Sequence, residues 1–196
     1  MIIQTTLMIG HKGVDLHAET AGRVARRNLI GGEHLLALHR AEFHCFWQET
    51  GSDAPESVAR MLSVGRFFNP NKHHYAHFEL QGAESPWFFD AVAARGAQLP
   101  AAWPGTVVAS DLPGENEILT ALLGGPAPSG ATSVDVCAYA LGEEGPLLSG
   151  EIWRLTIDGS AKDPAAVAAS LVEARSSREG LLVNPHMQGW RTALRV

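Results

Sequence analysis

The densest polar chemistry in this 196-residue chain is the run Phe67-Phe68-Asn69-Pro70-Asn71-Lys72-His73-His74-Tyr75-Ala76-His77-Phe78, where three histidines, a lysine, two asparagines and a tyrosine follow an aromatic pair. Such a set suits proton transfer by a histidine, or capture of an anion by Lys72 with a histidine beside it. On a strand, His73, Tyr75 and His77 share one face while His74, Ala76 and Phe78 share the other. Strand rise separates His73 from His77 by about 13 Å, too far for one metal ion unless the strand bends sharply, so no metal site is expected here. The expected ligand-binding set is Asn69, Asn71, Lys72, His73, Tyr75 and His77, with His186 added from a C-terminal echo, Leu182-Val183-Asn184-Pro185-His186. The plainer competing reading makes these histidines partly exposed strand residues.

The rest of the chain offers little beside that stretch. His39, Glu42 and His44 lack the spacing of a zinc helix, and the sequence has no Gly-x-Ser-x-Gly elbow, phosphate loop or dinucleotide fingerprint. Gly114-Glu115-Asn116-Glu117 opens a helix with two acids, which suits the helix dipole and repels phosphate. Arg23, Arg26 and Arg27 read as a solvated helix face. Cys45 and Cys137 each sit alone in an apolar run, as buried thiols do. A net charge of −6 without a dense Lys/Arg run argues against nucleic acid and against an anionic membrane surface. The N-terminus reads as a strand rather than a signal peptide, and no run approaches the ~18 apolar residues of a membrane span, so a cytoplasmic location is expected. Paired catalytic groups are missing and no cofactor is implied. The expectation is a non-catalytic binding or accessory module that takes a partner protein or a small anionic ligand, with homo-oligomerisation open. The alternative is a small enzyme using a histidine of residues 72–77 as general acid or base.

These residues need elements to hold them. Residues 2–9 read as a strand, 16–28 as a helix capped by Asp15, and Asp53-Ala54-Pro55-Glu56 as the start of a helix reaching about Phe67. Residues 34–49 fit a strand by composition and a helix by spacing. The histidine strand then runs to Leu80. Residues 81–105, rich in proline and glycine, read as a connection holding a short helix from Pro86 to Arg95. A strand at 106–110, a helix at 115–123, a hairpin of 133–141 with 147–157 around the loop 142–146, a helix opened by Asp163-Pro164 and a strand from Trp190 complete the order. This order predicts an α+β fold of two ferredoxin-like βαββαβ repeats, 1–80 and 106–196, with antiparallel sheets covered by helices. A single larger α+β domain competes with it, whereas the hairpin argues against a doubly wound sheet. Each half, at about 90 residues, would leave a sheet face or strand edge uncovered, so the halves are expected to meet there.

The run from Glu56 to Leu80, an Asp-capped helix passing into a polar strand within a βαβ order, resembles the small accessory subunit of bacterial phosphoribosylformylglycinamidine synthase. That subunit is a short α/β protein working inside a larger purine-synthesis complex. The likeness covers about 25 residues of each half and lies in the order of elements, and the unit is doubled here where the family has one. The resemblance implies a purine-pathway partner rather than an independent enzyme, and it carries over no catalytic residue.

Overall fold

The computed structural model describes residues 2–49, 54–81, 95–100, 102–141 and 148–195. The expected Asp53 cap, the hairpin loop 142–146 and all but the last residue of the helix expected over 86–95 lie outside the described residues. In chain order the elements are β1 (Ile2–His11), α1 (Leu16–Asn28), a 3-10 turn (Gly32–His34), β2 (Leu35–Glu49), α2 (Ala54–Ser63), β3 (His73–Gln81), β4 (Ala97–Gln98), β5 (Thr106–Ser110), α3 (Glu115–Leu123), β6 (Ala131–Leu141), β7 (Leu148–Asp158), α4 (Pro164–Val172) and β8 (Gly189–Arg195).

Local chemistry starts and stops these helices. Asp15 Oδ1 accepts from the backbone N–H of His17 and Ala18 at 2.8 and 3.2 Å, satisfying two orphan donors of α1, and Asp163 does the same for α4 through the Ala166 N–H. Gly124 ends α3 in the left-handed region at φ 79°, where its missing Cβ leaves room for the His39 ring. Helix α2 ends at Ser63, four residues before the expected stop at Phe67, and Asn69-Pro70 instead forms the turn into β3, with the Asn69 carbonyl accepting from the Lys72 and His73 N–H groups.

The two ferredoxin-like repeats expected from the sequence do not form. All eight strands belong to one sheet in the order β4-β8-β6-β7-β2-β1-β3-β5, antiparallel except for the parallel β4–β8 pair. In a βαββαβ unit the strands joined by a helix run parallel with another strand between them, whereas β1 and β2, joined by α1, are antiparallel neighbours. In the second half the expected order β5-α3-β6-β7-α4-β8 is present, but β5 leaves it to pair with β3; in the first half residues 35–49 are the reason. They form one 15-residue strand, with no turn residue near Arg40 to break it into two. Each half keeps a split βαβ unit: β2-α2-β3 with β1 between its strands, and β7-α4-β8 with β6 between. The outer positions are taken by strands from the middle of the chain, β5 beside β3 and β4 beside β8.

The halves join edge to edge through β2 and β7, paired from Leu35–Ile157 to Cys45–Leu148. Strand alternation then sorts the core. Trp153, Leu155, Ile157, Val134 and Val136 face α1 and α4, where they pack on Ala18, Ala25, Leu171 and Val172. Leu7 and Ile9 face α2 through Val58 and Met61. Met8, Phe43, Cys45, Cys137 and Ile152 face the opposite way, onto Ile118, Leu122 and Leu123 of α3 and onto Trp103.

Arg40 ties the junction together. Its side chain, 8% exposed, reaches Glu151 on β7 at 2.8 Å, Glu42 at 2.8 Å and the α1 cap Asp15 at 3.2 Å, with its guanidinium over the Trp153 ring. Burial pushes the Asp15 carboxyl up, but the Ala18 N–H and the Arg40 charge hold it below the usual range overall. Arg40→Met would leave three carboxylates facing one another around an apolar chain. The variant is expected to lose about 3 kcal/mol in urea unfolding near neutral pH, the low end for a broken buried pair because Glu42 reaches solvent. A loss under about 1 kcal/mol would show that the junction does not depend on this charge.

Candidate ligand-binding site

The residues expected to form a site are dispersed. Asn69 is half-buried in the turn before β3, its Oδ1 accepting from the Asn71 N–H and its own N–H donating to His73 Nδ1. Asn71 and Lys72 are exposed. His73 meets the His11 ring edge-on at 4.9 Å, and Tyr75 packs on Phe68 at 5.4 Å. His77 is buried opposite Leu7, its Nε2 without a partner, and burial lowers its pKa. His186 is exposed ahead of β8, which stands five strand positions from β3, so it does not join the others. The structure thus brings His73, Tyr75 and Asn69 together against aromatic rings, leaves Asn71 and Lys72 in solvent, and buries His77 separately.

A stronger polar constellation lies on the α3 face of the sheet. Asp135, at the centre of β6, is completely buried. Its carboxylate accepts from Arg154 Nε at 2.7 Å and Nη2 at 2.9 Å, and from Arg195 Nε at 2.9 Å. The bidentate grip follows from register, because Asp135 and Arg154 are direct cross-strand partners between β6 and β7. Arg154 Nη1 also donates to the Gly125 carbonyl at 3.1 Å, just beyond α3. On the next strand His39 stands opposite Arg154, and burial together with the Arg154 charge lowers its pKa, so it is neutral near pH 7.

This network borders a cavity of about 450 Å³. Ser133, Asp135, Arg154 and Arg195 supply its polar side, and Phe78, Trp103, Leu119 and Leu123 its apolar side. Phe78 on β3 and Asp135 on β6 are four strand positions apart yet line the same space, so the sheet is concave here and curls around α3 and Trp103. Trp103 is held by an edge-on contact with Phe43 at 6.0 Å. The segment carrying it can return to the sheet because Gly105, at φ 110°, lies against the Glu79 carbonyl, where a Cβ would overlap.

Two buried polar atoms of this lining have no hydrogen-bond partner: Ser133 Oγ and Trp103 Nε1, in residues each 3% exposed. Orphans of this kind also occur elsewhere among the described residues, at Thr5, His77 and Trp153 for example, so the feature particular to this cavity is the guanidinium pair on Asp135. A second cavity, about 360 Å³ between α1 and the start of β2, is lined by Asp15, Glu19, Arg26 and Arg40, and none of its lining atoms is such an orphan. Sequence reasoning passed over Asp135 and Arg154. The signal was present: each is a charged residue flanked directly by large apolar ones, Asp135 by Val134 and Val136 and Arg154 by Trp153 and Leu155.

Comparison with protein-family models, with curated proteins and with solved structures finds no match to this chain, so the functional reading stands on these residues. The buried histidines supply a pH dependence. His44 bonds Ser149 Oγ through Nδ1 at 2.8 Å, meets Phe67 edge-on, and is pushed by burial down to about 4. Its folded pKa lies below the ordinary value, so the unfolded chain takes up the proton first as pH falls. The stability it contributes is complete above about pH 6.5 and is lost between there and pH 4, by up to about 3 kcal/mol. Urea unfolding across that window is expected to show this fall, with a shallower slope in His44→Gln; an unchanged slope would mean that His44 is protonated in the folded protein.

Proposed function

We propose that this chain is a non-catalytic binding module for a small anionic ligand, taken up in the cavity beside Asp135, Arg154 and Arg195. One observation carries this: two guanidinium groups share a single buried carboxylate beside a cavity, which leaves guanidinium N–H groups without an acceptor there. Arg195 is 36% exposed along its side chain, and only its Nε is spent on Asp135, so its terminal nitrogens can meet a ligand. No cysteine lines the cavity, and Ser133 has no hydrogen bond to a base, so binding is favoured over nucleophilic chemistry. No residue of the cavity bears on the purine-pathway partner that the order of elements implies.

Thermal unfolding with acetate, benzoate, phosphate and sulfate tests the proposal. At least one anion is expected to raise Tm, and Arg195→Met to abolish the increase while costing about 1 kcal/mol itself, since Arg154 still grips Asp135. Ser133→Ala removes an orphan hydroxyl that the protein covers and is expected to leave stability unchanged or raise it by about 1 kcal/mol. An anion effect of full size in Arg195→Met, or none with any anion in the unsubstituted protein, would overturn the assignment.

A further inference from the structure

Resting on the anion-binding reading above, and narrowing it, we infer that the cavity takes a monocarboxylate bearing an apolar ring or chain, its carboxylate on Arg154 and Arg195 and its tail between Trp103 and α3. Charge is the first reason. Arg154 and Arg195 against Asp135 leave a single positive charge, and the exposed Glu115 adds a negative one at the rim. Over the whole lining the charges already sum to zero, so a single negative charge held directly on the two guanidinium groups is the most the site takes. A dicarboxylate or phosphate brings an excess beside a carboxylate already buried, and meets Glu115 on the way in.

Geometry is the second reason. Arg154 keeps one N–H on each terminal nitrogen after its bonds to Asp135 and Gly125, and both terminal nitrogens of Arg195 remain; planar forks of this kind match the two oxygens of a carboxylate. The walls are the third. Phe78, Trp103, Leu119 and Leu123 present carbon to a space of about 450 Å³, far more than a bare carboxylate fills and within the range of small-molecule sites. Displacing water from that surface favours a tail over none.

Isothermal titration of the full chain with 3-phenylpropionate, hexanoate, 3-phenylpropionamide, succinate and inorganic phosphate at fixed ionic strength tests the ligand class. The two monocarboxylates are expected to bind saturably, and the amide, succinate and phosphate about tenfold more weakly or worse. Leu119→Ala is expected to weaken 3-phenylpropionate by about threefold or more through the lost wall contact, with an unchanged circular dichroism spectrum. Phosphate or succinate binding more tightly than the monocarboxylates would overturn the class and leave the anion site standing. The amide binding as well as the acid, or no binding by any anion, would overturn both. Monocarboxylate affinity unchanged in both Leu119→Ala and Arg195→Met would put binding elsewhere and overturn the inference.

Discussion

The β2–β7 ladder is the constraint on which the rest of the structure depends. It makes two strand clusters into one sheet, and it uses β2 from Leu35 to Cys45 while β1 holds the other edge of the same strand out to Glu49. Neither half could bury its inner edge without it, because β2 and β7 would each present a row of unpaired backbone groups. The ladder also sets which side chains meet. It places His39 against Arg154, Arg40 against Trp153 and Glu42 against Glu151, so the charge cluster on one face follows from its register, while the Asp135 network on the other follows from the β6–β7 and β6–β8 registers. A slip of one residue would send Phe43 to the α1 side and Arg40 into the α3 core.

The two faces use charge differently. On the helix-rich side Arg40 is outnumbered by Asp15, Glu42 and Glu151, all within 3.2 Å, and the cluster acts as a clasp between α1, β2 and β7. On the α3 side the balance is reversed, with two guanidinium groups on Asp135. The first arrangement satisfies its cation completely. The second leaves guanidinium N–H groups beside a space that Trp103 and α3 border, and this asymmetry is why the proposed ligand is assigned to the second cluster.

Much of the local structure was legible in the chain. The Asp15 and Asp163 caps, the limits of α1, β5 and α3, and the alternation of β6 and β7 follow from short-range rules, and the structure agrees. Residues 35–49 resisted because Leu35, His39, Phe43 and Phe46 also keep helical spacing; only pairing with β1 and β7 decides in favour of a strand. The order of strands was illegible for a related reason. That β1 lies between β2 and β3, and that β5 returns to pair with β3, depends on contacts between distant residues that no local pattern encodes. At the site, polar density drew attention to residues 69–77, yet a run of polar types in a turn and an edge-proximal strand needs no pocket. The isolated charges Asp135 and Arg154 were the better signal, because an ionised group in a buried strand must have a partner. Arg195 could not be paired with them from sequence, since it lies 60 residues from Asp135.

In the proposed function the Asp135 network and Trp103 border one anion-binding surface. The most direct measurement follows the indole Nε1–H resonances of tryptophan and the Nε–H resonances of arginine by ¹H–¹⁵N NMR as 3-phenylpropionate is added. The account predicts that Trp103 and Arg195 shift together along one saturable curve, while Trp153 and Trp190, on the opposite face of the sheet, remain in place. Trp103 and Arg195 unmoved at saturating ligand, or Trp153 and Trp190 shifting in their place, would contradict it.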